Sequence, residues 1–381
     1  MEKNASGVTK HRIPLARPSV GEEELAAIQR VFESGMLTEW NVTAEFEKEF
    51  AKYLGVKHAV ATTSCTTAMD LALLALELKH GDEVIVPDFT YPATGNVVFH
   101  VGAKPVLVDI DAKTFNVNPE RIEEAITSRT KAVIPVHLFG QCAEMNTIME
   151  IAEKHELYVI EDAACGIGSL HHGKKAGTFG NASCFSFHPR KILATGEGGM
   201  LATDDDDLAE KARIWKNHGI LKGPNNRPRF VKAGYNYRLN DIASAIGLVQ
   251  LKKVPLFIKE RVRLAGLYDD LLADEEQVET PYVASGNNHT YQTYCVKIKK
   301  EKARDRLITE LAARGVETQI GTHALHLEPF YAENKVKKGA NLLASERAFR
   351  NTLALPMFNG LSKEEQKHVC ESLKALLSQV A

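Results

Sequence analysis

The residue in this sequence best suited to covalent chemistry is Lys191, within CFSFHPRKILATGEGGML. It stands between an apolar run that ends in Ser186 and a second one, GMLATDD, behind Gly196, Gly198 and Gly199. A lysine amine so placed can form a Schiff base with an aldehyde, although a lysine beside glycines is ordinarily a solvated surface charge. Ser186 lies five residues earlier, where its hydroxyl could hold a phosphate, and the glycines would let the backbone pass close to a planar ring. A second cluster, ATTSCTTAMD, puts hydroxyls at a strand-to-helix junction, where free amides and the helix dipole favour a phosphate. Plain capping by Thr63 or Ser64 is the alternative. In LYVIEDAACGIGS an apolar strand ends in Glu161 and Asp162, and a buried carboxylate must be paired or hydrogen bonded. A pyridinium nitrogen is one partner; a helix end or a nearby arginine is another.

Other candidates are less specific. Tyr91, in DFTYPATGN, could lie flat on a heterocycle or simply pack in the core. His323 and His326, in THALHLEP, have a spacing seen at metal sites, but no third ligand lies near in sequence, so no metal is assigned. His137 fits a polar network better than a metal.

These residues must be carried by a scaffold, and the pattern is α/β from about residue 58. HAVATTS, EVIVP, KPVLVDI, KAVIPVH and LYVIEDAA read as strands, most of them separated by helical patterns such as NPERIEEAI and EMNTIMEIAEKH. TTAMDLALLALELK reads as a buried helix closed by Gly81. Continuous apolar strands alternating with helices predict a mainly parallel sheet covered on both faces. Its ligand crevice belongs at the carboxyl ends of the strands, which carry Thr63, Ser64, Asp88, Asp109, His137, Asp162 and Ser186. ASCFSF and GMLATDD read as adjacent strands flanking the lysine loop, and DDLAEKARIWKNHG as the helix after them.

Before this region, a polar tail that would lie across another surface leads into helices over 21–32 and 44–53, joined by SGMLTEWN. After it, GILKGPNNRPRFVKAGYNYRLN reads as a loop reaching toward a ligand or a neighbouring subunit. The helix DIASAIGLVQLKKV follows, and Pro255 marks a boundary between a large α/β domain with an N-terminal arm (1–254) and a smaller α+β domain (255–381). The second domain would hold a helix through Leu272, a strand pair around NHTYQTYCVKIKK, and helices over 301–314 and 363–377.

The 381 residues provide ample core, and 44% hydrophobic with 25% charged residues is ordinary for a globular protein. A formal net charge of −2 gives no reason to expect nucleic acid or an anionic membrane as a partner. No stretch approaches the roughly 18 apolar residues of a membrane span, and the N-terminus lacks a secretory apolar core. Six scattered cysteines without metal spacing suit a reduced cytoplasmic protein.

Six ordered stretches, SCTTAMDLALLAL, GDEVIVPDFTYPAT, KAVIPVHLFGQ, VIEDAA, CFSFHPRKILATGEGGM and GYNYRLNDIASAIGLVQL, resemble the DegT/DnrJ/EryC1/StrS group. These are sugar aminotransferases that use pyridoxal 5′-phosphate (PLP) on the fold type I scaffold. The resemblance runs from about Ile13 to the final helix. It implies that Lys191 carries the Schiff base and that Asp162 pairs with the pyridine nitrogen. The 64–66 turn, Ser64, Cys65 and Thr66, would bind the phosphate with help from Ser186. Tyr91 would stack on the ring, and Asn236 would reach the phosphate of the neighbouring subunit in a homodimer. Cys165 departs from the family, in which Gln or Glu commonly stands near the cofactor's phenolic oxygen; a thiol is a weak hydrogen-bonding group.

The implied reaction moves an amino group from an amino acid, by family expectation L-glutamate, to a keto sugar on a nucleotide, with a 4-keto-6-deoxy sugar preferred. His188, Arg190, His323 and His326 are the candidate substrate contacts. Specificity is expected from the 35–43 loop, the 219–234 loop and the His323/His326 segment. Two other readings compete. In dehydratases of the same family histidine replaces the lysine, but here His188 precedes Lys191 by three residues and does not take its place. A noncatalytic regulator on the same fold is disfavoured by the retention of Lys191 and Asp162 and by the lack of an evident DNA-binding module.

Overall fold

A computed structural model describes residues 12–300 and 302–379. The seven strands of the predicted α/β region are β1 (His58–Thr62), β2 (Glu83–Pro87), β3 (Lys104–Val108), β4 (Thr130–Val133), β5 (Tyr158–Asp162), β6 (Ala182–Ser186) and β7 (Gly199–Thr203). They pair in the order β1-β7-β6-β5-β4-β2-β3, and a short strand, Lys337–Lys338, extends the edge beside β3. Every pairing is parallel except the two made by β7. The mainly parallel sheet sandwiched by helices is thus present.

Alternation along these strands builds two cores. Val60, Val84, Val86, Ile160 and Leu201 face the helix Cys65–Ala75, while Ala59, Ile85, Val159 and Met200 point the other way, toward the helices Asn41–Leu54, Pro119–Ala125 and Met145–Lys154. Because both faces are covered, strands such as β2 and β7 are buried at every residue, which is why they read as unbroken apolar runs.

Several boundaries differ from expectation. The helix predicted to reach Gly81 ends at Ala75. Glu77 takes φ 60°, and the chain folds back so that the Leu78 amide donates to the Leu73 carbonyl at 3.1 Å and Leu78 packs in the core. The 219–234 loop contains a hairpin, Ile220–Lys222 with Pro228–Phe230. Pro255 ends nothing: one helix, Asp241–Leu272, carries it in its interior. Leu251, Val254 and Phe257 of that helix pack with the large sheet, whereas Leu264, Ala265, Tyr268 and Leu272 pack in a separate C-terminal core. Tertiary packing at both ends outweighs the hydrogen bond that proline removes.

The C-terminal core lies under an antiparallel sheet ordered Val278–Glu279, Tyr294–Ile298, Thr352–Leu355, Gln319–Ile320, with the helices Arg304–Ala313 and Lys363–Gln379 against it. The helix expected over 301–314 starts at Arg304, and residue 301 lies outside the described residues. Most of the N-terminal tail, residues 1–11, lies outside them too. Ile13, grouped by sequence with the large unit, packs into the C-terminal core, its amide donating to the Gly315 carbonyl at 2.8 Å.

Candidate active site

At the carboxyl ends of β5 and β6 a cavity of about 690 Å³ opens between the two cores. Ser64, Cys65, Thr66, Tyr91, Asp162, Cys165, Ser186, His188, Arg190, Lys191 and His323 all line it. Asn236 and His326 are not among its walls.

Lys191 sits in the loop between β6 and β7, but that loop is not slack. Phe187, Ile192 and Leu193 are buried in the core around it, the Phe187 amide donates to the Gly198 carbonyl and the Thr195 amide to the Phe187 carbonyl, each at 2.9 Å. Apolar anchors on both sides therefore project the lysine into the cavity, where its Nζ lies 3.1 Å from Cys165 Sγ. Burial pushes the Lys191 ammonium down, yet the Cys165 sulfur and the Asp162 carboxylate together hold it above its ordinary value. At least one of the glycines has a structural use of its own. A Cβ on Gly199 would lie 2.3 Å from the Ser64 carbonyl carbon, so Gly199 is small to let β7 pass the 64–65 turn.

Asp162 and Glu161 are neighbours on β5 and so face opposite ways. Asp162 enters the cavity, accepting from Thr94 Oγ1 at 2.7 Å and from the Ala164 amide at 3.1 Å. Glu161 turns away and is satisfied by the amides of Gly177, Phe179 and Gly180 at 2.6–2.8 Å. His137 Nε2 lies 2.8 Å from Glu161, while its Nδ1 accepts from the Ala143 amide at 3.2 Å. This is the polar network expected for His137, and it places the proton on Nε2.

The 64–66 turn starts the helix Cys65–Ala75. Ser64 caps it, its Oγ accepting from the Thr67 amide at 3.2 Å, so capping by Ser64 and a place in the cavity wall hold together. The amides of Cys65 and Thr66 have no acceptor within the helix. Cys65 Sγ donates to the Cys184 carbonyl at 3.3 Å; burial, reinforced by the Asp162 charge, pushes this thiol well up and keeps it neutral. Ser186 Oγ is 3.4 Å from the His188 amide.

The outer wall is polar. Tyr91 is 67% exposed, its ring edge-on to His323 with centroids 6.3 Å apart. His323 pairs with Glu328 at 2.7 Å. His188 Nδ1 accepts from the Arg190 amide at 3.2 Å, and burial lowers its imidazole against the pull of Glu197. Arg190 donates to Gln319 at 2.7 Å. His326 is engaged elsewhere: its amide and Nδ1 contact the buried Asp88 carboxylate at 2.8 and 2.7 Å, docking the 323–328 segment onto β2. Asp109 is likewise used structurally, accepting from the Ala344 and Ser345 amides at the start of a helix. Asn236 is exposed, bridges backbone to backbone with Asn217 and is not part of its own chain's cavity wall.

Among the wall residues with no part in the sequence expectations are Glu197, Gln292, Gln319 and Thr322. Thr94 was missed as well. It lies in TYPAT at the start of the helix Ala93–His100, where nothing local marks it as a partner for Asp162. Gln319 arrives from the smaller sheet and Gln292 from the bend just before its strand Tyr294–Ile298, and neither carries a local signal.

Residues 18–374 match the DegT/DnrJ/EryC1/StrS aminotransferase family. The chain is 41% identical over 370 residues to GDP-perosamine synthase of Caulobacter vibrioides, covering 96% of this chain and 98% of that protein. It is 36% identical over 379 residues to the spore coat polysaccharide biosynthesis protein SpsC of Bacillus subtilis, covering 96% and 97%. Among solved structures, Spr1654 of Streptococcus pneumoniae in its PLP form superposes with a TM-score of 0.92 at 28% identity, covering 97% of this chain and 100% of that one.

The side chains present fit PLP. An amine for its aldehyde (Lys191), a carboxylate with lone pairs left for a ring nitrogen beyond its contacts with Thr94, the Ala164 amide and the Cys65 thiol (Asp162), and amides at a helix start for its phosphate (Cys65, Thr66) share one cavity. With that cofactor and this architecture, the chain belongs to the DegT/DnrJ/EryC1/StrS aminotransferase family.

Proposed function

We propose that the chain is a cytoplasmic, homodimeric enzyme that moves an amino group from an amino acid, L-glutamate, to the keto group of a nucleotide-linked sugar. A 4-keto-6-deoxy sugar is the acceptor, and amino-sugar or surface-polysaccharide synthesis is the setting. The observation that carries this reading is the presence of the Lys191 amine and the Asp162 carboxylate in the wall of one cavity. The likeness to GDP-perosamine synthase favours a nucleotide sugar as acceptor.

PLP, when bound, supplies an aldehyde that takes up amino groups and a ring that draws electrons from the reacting carbon. The protein's residues bind, orient and move protons around it. Asp162, oriented by Thr94 and the Ala164 amide, would pair with the ring nitrogen and so preserve the ring's electron demand. Cys65 and Thr66 bind the phosphate through their amides with Ser186 beside them, and Tyr91 covers the ring. Lys191 would act as the general base that accepts the proton of the amino-bearing carbon and then as the acid that returns it at the other end of the transfer. His188, Arg190 and His323 face the sugar. His326 contributes by holding their segment through Asp88.

The test is spectroscopic. The holoenzyme is expected to be yellow, to lose that colour on addition of L-glutamate, and to regain it with the keto sugar of the right nucleotide when dTDP, UDP and GDP sugars are compared. Colour that persists after glutamate, with PLP bound and the protein folded, overturns the aminotransferase reading. Lys191→Ala should still retain PLP and lose turnover by about a thousandfold or more, the scale of general acid–base catalysis. Substantial activity in that variant would remove Lys191 from the mechanism.

A further inference from the structure

The turn that delivers Lys191 is held from the smaller lobe. Within the turn, the Lys191 amide donates to the His188 carbonyl at 2.8 Å and the Arg190 amide to His188 Nδ1 at 3.2 Å. Two further bonds come from far along the chain. Gln292 Nε2 donates to the Arg190 carbonyl at 2.9 Å, so it grips the peptide unit that joins Arg190 to Lys191. Gln319 Oε1 accepts from Arg190 Nη1 at 2.7 Å.

Neither glutamine is a loose surface group. Gln292 is only 8% exposed, and its other amide atom, Oε1, accepts from Thr293 Oγ1 at 3.0 Å. This fixes the amide orientation: a flipped group would set oxygen against the Arg190 carbonyl. The Gln292 backbone is anchored in turn. Arg261, buried on the long helix, donates from Nη1 to the carbonyls of Tyr291 and Gln292 at 3.1 Å and of Met357 at 3.3 Å. Gln319 lies in the smaller sheet, paired with Ala354. Two glutamines of separate segments thus converge on one residue, one on its backbone and one on its side chain.

We infer that Gln292, with Gln319, is a positioning residue that sets the Lys191 amine through Arg190, so that the smaller lobe governs the reactive geometry of the larger one. The inference rests on the role given to Lys191 above. Neither glutamine touches the lysine itself. Both act by fixing the turn, and a small displacement of a reacting group is enough to slow chemistry strongly.

The test uses holoenzyme variants and reads the pH midpoint of the bound cofactor's visible band, kcat and KM for L-glutamate, and Tm. Gln292→Leu removes the amide at similar size, and Gln292→Glu sets an oxygen against the Arg190 carbonyl. Both are expected to lower kcat about tenfold to a hundredfold, to leave KM for glutamate nearly unchanged and to move the pH midpoint. Gln319→Leu should move the midpoint the same way, and Gln319→Glu, which retains an acceptor for Arg190, should restore it. A wild-type midpoint and kcat in Gln292→Leu overturn the inference. So does a lowered Tm with an unmoved midpoint, which marks a merely structural role. If Gln292→Leu does not fold, the Gln319 pair decides: equal midpoints in Gln319→Leu and wild type overturn the inference. Failure of the parent reading looks different, because wild-type protein would then carry no glutamate-sensitive colour.

Discussion

Lys191 and Cys165 sit 3.1 Å apart, and this contact bears on how the protein captures its cofactor. Capture of PLP requires the neutral amine, while the Cys165 sulfur, with Asp162, favours the ammonium against the opposing effect of burial. Because the folded ammonium is held up, capture by the apoprotein should accelerate only as pH rises toward that raised value. Cys165→Ala removes one source of the hold, so its pH profile for the growth of the visible band should shift to lower pH. Superposable profiles in the two proteins would show that the sulfur does not affect the lysine. Lys191 and Asp162 stood out in the sequence because few residue types can do their chemistry; Asp162 ends an apolar strand and Lys191 lies in the loop between two. The contact of Cys165 with the lysine was not foreseen, and without the resemblance the residues alone could not separate Glu161 from Asp162, since only the strand's pleat decides which of two adjacent carboxylates faces the cavity. The direction of His326, a spacing partner of His323, was hidden for a similar reason: its partner, Asp88, lies more than two hundred residues away.

At the level of elements, the strands β1 to β7 were readable because burial on both faces leaves little room for polar residues. The Lys337–Lys338 edge strand was not, because two lysines carry no strand signal and are recruited by a partner distant in sequence. That recruitment centres on Glu83, the first residue of β2. Its carboxylate accepts from Arg129 at 2.7 and 3.1 Å, from Thr127 at 2.7 Å and from Lys337 at 3.1 Å, joining β2, the approach to β4 and the edge strand. Burial alone would raise this carboxyl, but the Thr127, Arg129 and Lys337 contacts bring it from an ordinary 4.5 to about 2. A depressed carboxyl contributes stability above its ordinary value and loses that contribution as pH falls toward the folded value. The stability difference between wild type and Glu83→Gln, read from urea midpoints, should therefore be largest near neutral pH and shrink below about pH 4.5, approaching its minimum near pH 2. A difference that stays constant with pH would mean that the charge of Glu83 contributes nothing. The uninterrupted helix through Pro255 has the same lesson in reverse: a local helix breaker was overruled by two cores gripping the two ends of the element.

At the scale of the whole molecule, the two main sheets, each packed against a core of its own, follow from the change of pattern along the chain. The ties between them do not, since Ile13, Arg190 with its glutamines, and the edge strand are all contacts between distant segments. The largest question at this scale is whether one chain makes a whole site. Asn236, the residue expected at a phosphate, does not line the cavity of its own chain. Just before it, the hairpin exposes large apolar side chains, with Phe230 at 71% and Val231 at 42% exposure, and Leu37 and Trp40 of the 35–43 loop are exposed as well. Side chains of this size left open to water on a functional loop mark a surface that is covered in the working protein, and a twofold dimer would cover the same patch on both copies while exchanging Asn236 between sites. The protein is therefore expected to sediment at twice its 42.1 kDa chain mass, and Phe230→Asp to shift it to the monomer. Asn236→Ala should remain dimeric yet hold PLP more weakly, a loss on the order of tenfold for a hydrogen bond to a charged group. A Phe230→Asp monomer that retains PLP as tightly as wild type would establish that each chain completes its own site, and the exposed hairpin would then need another partner.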